Sequence, residues 1–402
     1  MKWLKFAWLN SLRNRRRSLV TLSIAALGTA AILLAGGFAI FTYQSLAQSA
    51  ARGTGHLVVA SPAQFAKDED TPLQYGLDDW QRLRTQMLAD EQVRQVLPRV
   101  EFSGLISNGE KSIVMMAAGV DADAEFAIKG PFMQIKAGQV LSSAERRAVM
   151  LGEGLARSLK AGPGDPLTLL ASTTEGALNA IDVQVVGIFS TGIAEMDKRS
   201  LYLDLASAQA LLATQRVSSL GVFLDRMEST PAAQARMQAL APQLEVRTWE
   251  QQASFYRSVK QLYNRIFGAL GVIIGVIVVF VVSNAMAMAI IERTREIGTL
   301  RALGTLPSQL LQSLALEGML LGGGGALLGA LLALAFSLLL YVLPVEMPPP
   351  PGYSRGYPLQ VAIDAGLYGA TLLAMLTLAM LASALVARKT VAKPIVDALA
   401  HT

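Results

Sequence analysis

Glu292, Arg293, Arg295, Glu296 and Arg301 are crowded between two strongly apolar runs, residues 266–291 and 306–343. Carboxylates and guanidinium groups brought together in this way make ion pairs and charge-assisted hydrogen bonds with a polar protein surface. At helical spacing Ile297 and Leu300 fall together, while Glu292, Arg295, Glu296 and Thr299 fall on another side. The pattern predicts a short amphipathic helix over 292–305 between two membrane spans. A plain charged turn at a membrane surface fits the same periodicity.

A second group of informative residues follows within the apolar run. Gly322, Gly325 and Gly329 leave room for another helix to come close. Glu317 is an ionisable group inside that span, where a carboxylate serves either as a functional charge or as a structural hydrogen-bonding group. Other chemistries lack their parts. No phosphate-binding loop of the form G-x-x-x-x-G-K-S/T occurs, and neither H-E-x-x-H nor G-x-S-x-G is present. The two histidines, His56 and His401, are far apart, and there is no cysteine for a thiolate nucleophile, a disulfide or a Cys-ligated metal. No catalytic, cofactor-binding or metal-ligating residue is therefore expected in this chain.

The elements that must position these residues follow from composition. The 402 residues are 52% hydrophobic and 16% charged, with a positive mean hydropathy, so part of the chain is expected in a bilayer and part in water. The net charge of +5 is unevenly placed: residues 48–260 hold 21 Lys/Arg against 24 Asp/Glu, and the remainder holds 14 against 6. The basic excess belongs to the membrane part, which speaks against a nucleic-acid partner. Residues 18–51 carry no charge, a run too long for a secretory signal core, and an uncleaved first span is predicted.

The predicted order is a cytoplasmic amphipathic N-terminus at 1–17, a first transmembrane helix at 18–47 and an extracytoplasmic domain at 48–247. A stalk and second span at 248–291, the short amphipathic helix at 292–305 and a third span at 306–343 come next. An outer loop at 344–360, a fourth span at 361–387 and a cytoplasmic tail at 388–402 complete it. Basic residues flank the spans on one side: Arg13 to Arg17 before the first, Arg293, Arg295 and Arg301 between the second and third, Arg388, Lys389 and Lys393 after the fourth. Both termini and the 292–305 helix are accordingly expected in the cytoplasm.

The fold class expected is an α-helical membrane protein with four transmembrane helices and a large α+β extracytoplasmic domain inserted between the first two. Strand-like runs lie at 56–61, 112–120, 166–170, 181–189 and 218–224. Helical stretches are expected at 77–97, capped by Asp78 or Asp79, and at 205–214 behind Asp204. Gly162, Gly164 and Asp165 suit a turn, and Asp68, Glu69 and Asp70 a solvated loop. Residues 248–265 lack Pro and Gly and predict one continuous helix into the second span, with Phe255, Leu262 and Ile266 near one face.

The wording of several segments adds a family resemblance. ERTREIGTLRALGT, followed by a span containing Leu-Glu-Gly and several glycines, closely resembles the cytoplasmic segment of ABC-transporter permeases of the MacB, LolC/LolE and FtsX type. VMLGEGLARSLKAGPGDPLTLL, VQVVGIFSTGIAEMDKRSLYLDLASAQALL and the ending ARKTVAKPIVDALAHT resemble the same family, the second LolC and LolE in particular. The resemblance implies that Glu292, Arg293, Arg295, Glu296, Thr299 and Arg301 form a coupling helix that docks on a separate ATPase subunit, which holds the ATP and magnesium. It implies a second permease chain, in a homodimer or heterodimer, contact with membrane lipids, a periplasmic chaperone or adaptor as partner, and a place in the bacterial inner membrane. The cargo implied by the LolC/LolE-like stretch is lipoprotein or lipid-like, whereas the ERTREIGTLRALG phrase is similar to MacB-like exporters of peptides or drugs. FtsX-like control of cell-wall hydrolases and a non-transporting scaffold or receptor are the remaining alternatives.

Overall fold

The computed structural model describes residues 15–66, 71–130, 133–347 and 357–391. The amphipathic segment before residue 14, the Asp68–Asp70 trio, the proline-rich stretch 348–356 with Arg355, and the tail with Lys393 and His401 lie outside these residues.

The chain begins with α1 (Arg15–Thr54), β1 (Leu57–Ala60), α2 (Pro62–Ala66), α3 (Trp80–Leu88), β2 (Val93–Ser107), β3 (Ser112–Val120), α4 (Ala122–Lys129) and β4 (Gln134–Gly138). It continues through β5 (Ala148–Gly152), α5 (Glu153–Leu159), β6 (Pro166–Ser172), β7 (Leu178–Ser190), α6 (Ala194–Asp197), β8 (Ser200–Asp204), α7 (Leu205–Leu211) and β9 (Ser219–Leu224). The last group is α8 (Thr230–Leu240), β10 (Glu245–Thr248), α9 (Trp249–Gln252), α10 (Ser254–Glu292), α11 (Thr294–Ala302), α12 (Pro307–Val342) and α13 (Ala365–Val391).

Among the described residues, four helices are long and apolar enough to cross a membrane: Ser18–Thr54, Tyr256–Glu292, Pro307–Val342 and Ala365–Arg388. At 1.5 Å per residue the first two reach about 55 Å, so each continues beyond a hydrocarbon core of about 30 Å. They pack around small residues. A side chain at Gly322 would collide with Ala379 of α13, and one at Gly329 with the Ala26 carbonyl and Thr29 of α1. Gly318 likewise abuts Ser383, and Gly325 abuts Ala25. The glycines of α12 thus face two neighbours, α13 at one level and α1 further along. Val278, Val282, Met286, Ile290, Leu310, Leu314, Leu321 and Met375 fill the shared core.

Ser45–Arg257 forms the core of a separate compact unit. Its mixed sheet closes on itself: β2 pairs with β3, β3 with β8, β8 with β5, β5 with β7, β7 with β6, and β6 returns to β2. Ile106, Met115, Val149, Leu151, Leu169, Val183, Val185, Leu201 and Leu203 are buried in its core cluster. The N-terminal half of β2 leaves this ring to pair with β9, which leads to β1 and β10. The unit is α+β, as the alternation of strand and helix signals predicts.

Two expectations are corrected here. The helix expected over 77–97 ends at Leu88, and residues 93–97 belong to β2. Asp90 explains the change: its side chain accepts from the Gln92 amide at 3.0 Å and its carbonyl from the Val93 amide at 2.9 Å, a turn that competes with helix. Asp79 does hold the N-cap position but makes no side-chain cap bond, while Asp78 pairs with Arg216 at 2.7 Å. The continuous helix expected over 248–265 is also broken. Thr248 and Gln251 close a capping box that starts α9, and Ala253 then leaves the helical region at φ −84°, ψ 74° before α10 begins. Trp249 is buried and packs edge-on against Tyr256, ring centroids 4.9 Å apart, which turns the chain. Asp204 caps α7 as expected, accepting from the Ser207 amide at 2.9 Å.

Candidate coupling site

The charged segment between the second and third apolar helices is built by its ends. α10 stops at Glu292, and the Thr294 hydroxyl donates to the Ile290 and Ile291 carbonyls at 2.9 and 3.0 Å, satisfying acceptors that a helix terminus leaves unpaired. α11 stops where Gly304, at φ 95°, donates to the Arg301 carbonyl and the Thr305 amide reaches back to the Leu300 carbonyl. Pro307 then opens α12 with a fixed φ and no amide to satisfy.

Between those ends α11 is two-faced. Thr294, Ile297 and Gly298 are buried, and Ile297 enters the helix core beside Ile290 and Leu310. Glu292, Arg295, Glu296 and Thr299 are exposed together, followed by exposed Leu303 and Leu306. Leu300 and Arg301 are half-buried. The sequence periodicity had placed the same four polar residues on one side.

Arg293 is placed differently from its neighbours. Its guanidinium is largely turned inward, with Nε donating to Glu296 Oε2 at 2.9 Å and Nη1 lying 3.5 Å from Glu317 Oε2. Glu317 is 5% exposed on α12. Leu262 and Ile266 of the stalk are exposed on α10, where Phe255 also lies.

The inserted unit holds a buried charge cluster that sequence reading missed. Arg99 on β2 donates to the Gly53 carbonyl in the last turn of α1 at 2.6 Å and to Glu125 of α4 at 2.8 Å. Lys129 reaches the same carboxylate oxygen at 2.7 Å. Burial alone would raise the Glu125 pKa, but the two cations and their hydrogen bonds outweigh it and hold the carboxyl below its ordinary value. Spacing gave no signal for this cluster, because Arg99 and Glu125 meet only through the β2–β3 pairing and the helix behind it. Near the junction of α1 with β1, His56 Nδ1 accepts from the Leu224 amide at 3.1 Å, and burial lowers its pKa. Among the described residues no group of three or more His, Cys, Asp or Glu is placed to hold a metal.

Among the described residues, four membrane-length helices, a folded unit inserted after the first, and a two-faced helix joining the second and third give the architecture of a multi-pass membrane protein. The model of the MacB-like periplasmic core domain matches residues 18–240, more than half of the chain, and that of the FtsX-like permease C-terminal domain matches residues 268–395. The chain belongs to this MacB-like, FtsX-like permease family.

Among curated proteins it is similar to the lipoprotein-releasing system transmembrane protein LolE of Haemophilus influenzae, with 27% identity over 269 residues and 64% of each chain covered. It is similar also to LolC of Neisseria meningitidis, with 27% identity over 191 residues, covering 45% of this chain and 46% of that protein. The chain thus spans less than two thirds of the length of either relative. Among solved structures, the periplasmic region of MacB from Actinobacillus actinomycetemcomitans is 13% identical, with a TM-score of 0.37, covering 52% of this chain and 95% of that one.

Proposed function

We propose that this chain is the permease subunit of an ABC transporter in the bacterial inner membrane, with both termini cytoplasmic. Two permease chains pair and bind two separate ATPase subunits, which carry ATP and magnesium. The exposed face formed by Glu292 at the end of α10 and by Arg295, Glu296 and Thr299 of α11 docks on the ATPase, and its movement passes through the stalk to the inserted domain. The cargo is lipoprotein or another lipid-like molecule, released or exported at the outer leaflet. The lipoprotein-releasing proteins LolE and LolC among its relatives support that choice of cargo.

The observation that carries this reading is the construction of α11: a nine-residue helix held to the membrane core by Ile297 while it presents Arg295, Glu296 and Thr299 outward, beside exposed Glu292 at the end of α10. Exposed Val272, Val276 and Phe280, spaced four apart along α10, offer an apolar stripe for a second permease chain or for lipid. The test is reversal of charge at Arg295 and Glu296 in a complex purified with its ATPase. Loss of ATPase co-purification is expected; assembly and ATP hydrolysis surviving both reversals would refute the docking face.

A further inference from the structure

Glu317 is a carboxylate nearly enclosed in an apolar helix, and such a group is retained at a high desolvation cost unless a cation meets it. Its cation comes from outside its own helix. Arg293 stands at the N-cap position of α11, and its guanidinium spans two carboxylates: Glu296 on the exposed face at 2.9 Å and Glu317 within α12 at 3.5 Å. Next along α12, Gly318 abuts Ser383 of α13 so closely that a β-carbon there would overlap it. The three features form one contiguous path, from an exposed acidic residue through a fork of planar donors to the level where Gly318 of α12 meets Ser383 of α13.

We infer that Arg293 and Glu317 are positioning residues which carry displacement of α11 into the α12–α13 pair, a link that rests on the docking role proposed for α11. Guanidinium suits this task because its donors are fixed in one plane, so a rotation that moves Glu296 redirects the donors aimed at Glu317. An ammonium or a neutral amide would follow one carboxylate and release the other. The apolar contact of Ile297 holds α11 in place but has no directional preference, whereas the ion pair does.

Glu317→Met is the informative substitution. Removing this carboxylate leaves Arg293 paired with Glu296, and methionine fits an apolar helix. The exposed docking face is unaltered. Because the chain has no cysteine, a Gln261→Cys on the exposed side of α10 gives this chain a single thiol, whose labelling is read on the isolated permease band after reaction of the full complex. In the unsubstituted complex the thiol labelling rate is expected to differ between nucleotide-free and ATP–vanadate states. In Glu317→Met the bound ATPase and its hydrolysis persist, while that nucleotide-dependent difference falls by about five-fold or more, the range of an ordinary coupling energy. Glu317→Gln, which keeps an acceptor without the charge, should show a smaller loss and carries the test if the methionine variant does not assemble. A nucleotide-dependent difference unchanged in Glu317→Gln, or retained by more than half in Glu317→Met, overturns the inference alone. Absence of any bound ATPase from the unsubstituted complex overturns the docking role, and the inference with it.

Discussion

Three glycine substitutions in α12 should separate by sign. A β-carbon added at Gly323 meets Leu376 Cδ1 at 3.5 Å, an ordinary contact, and Gly323→Ala should gain up to about 1 kcal/mol from the helical preference of alanine. At Gly322 the added carbon collides with Ala379, so α12 and α13 must separate. At Gly329 it collides with the Ala26 carbonyl and lies 2.7 Å from Thr29 Cβ, and neither backbone oxygen nor a branched side chain yields cheaply. Overpacking of this kind costs about 1–3 kcal/mol against a helix gain of up to about 1 kcal/mol, which leaves Gly322→Ala and Gly329→Ala destabilised by up to about 2 kcal/mol. A thiol reporter avoids confusing this effect with unfolding of the inserted unit. Thr371→Cys places a near-isosteric probe at a buried position of α13, and its labelling is followed against denaturing detergent. Indistinguishable labelling curves for Gly322→Ala and Gly323→Ala would refute the packing argument.

Two further outcomes follow from the inserted unit. Burial holds the His56 pKa below the ordinary 6.5, and the neutral ring accepts from the Leu224 amide through Nδ1. Its contribution to stability is therefore present above 6.5 and lost as pH falls through the folded value. Melting followed by tryptophan fluorescence between about pH 7.5 and pH 5 should show this loss, and His56→Asn, which retains an acceptor, should flatten it. Arg99→Met removes one partner of a buried ion pair together with a bond to the Gly53 carbonyl, a change worth about 3–5 kcal/mol when no other cation remains. Because Lys129 stays on Glu125, a loss of about 2–4 kcal/mol is expected, and adding Glu125→Met should recover part of it in chemical denaturation.

The apolar helices and α11 were legible because their signals are local. A run of membrane length needs no partner to be recognised, and the buried position of Ile297 opposite Arg295 and Thr299 follows from the helical period alone. Strands β3, β6, β7 and β9 were visible for the same reason, as short apolar runs bounded by turn residues. β2 was hidden by Arg94, Gln95, Pro98 and Arg99, which dilute its strand signal. Pro98 pairs with Leu220 of β9 but has no strand on its other side, because β3 pairing begins only at Arg99. The closed ring of six strands could not be read, since β6 reaches β2 across more than fifty residues of sequence. The same limit applies to charge. Arg293 and Glu317 stand 24 residues apart, so α12 has to fold back before either meets its partner. The break at Ala253 was invisible because alanine favours helix, and the burial of Trp249 overrides that preference.

Photo-crosslinking from Thr299 is the most direct measurement of what α11 touches. Thr299 is exposed beside Arg295 and Glu296, so a photoreactive residue placed there samples the proposed docking face in intact cells. Irradiation should yield an adduct with a protein that carries a G-x-x-x-x-G-K-S/T loop, and this adduct should disappear when Arg295 and Glu296 are reversed in charge. Adducts with extracytoplasmic proteins, or none with a nucleotide-binding protein while the ATPase co-purifies, would contradict the claim that this face receives the ATPase.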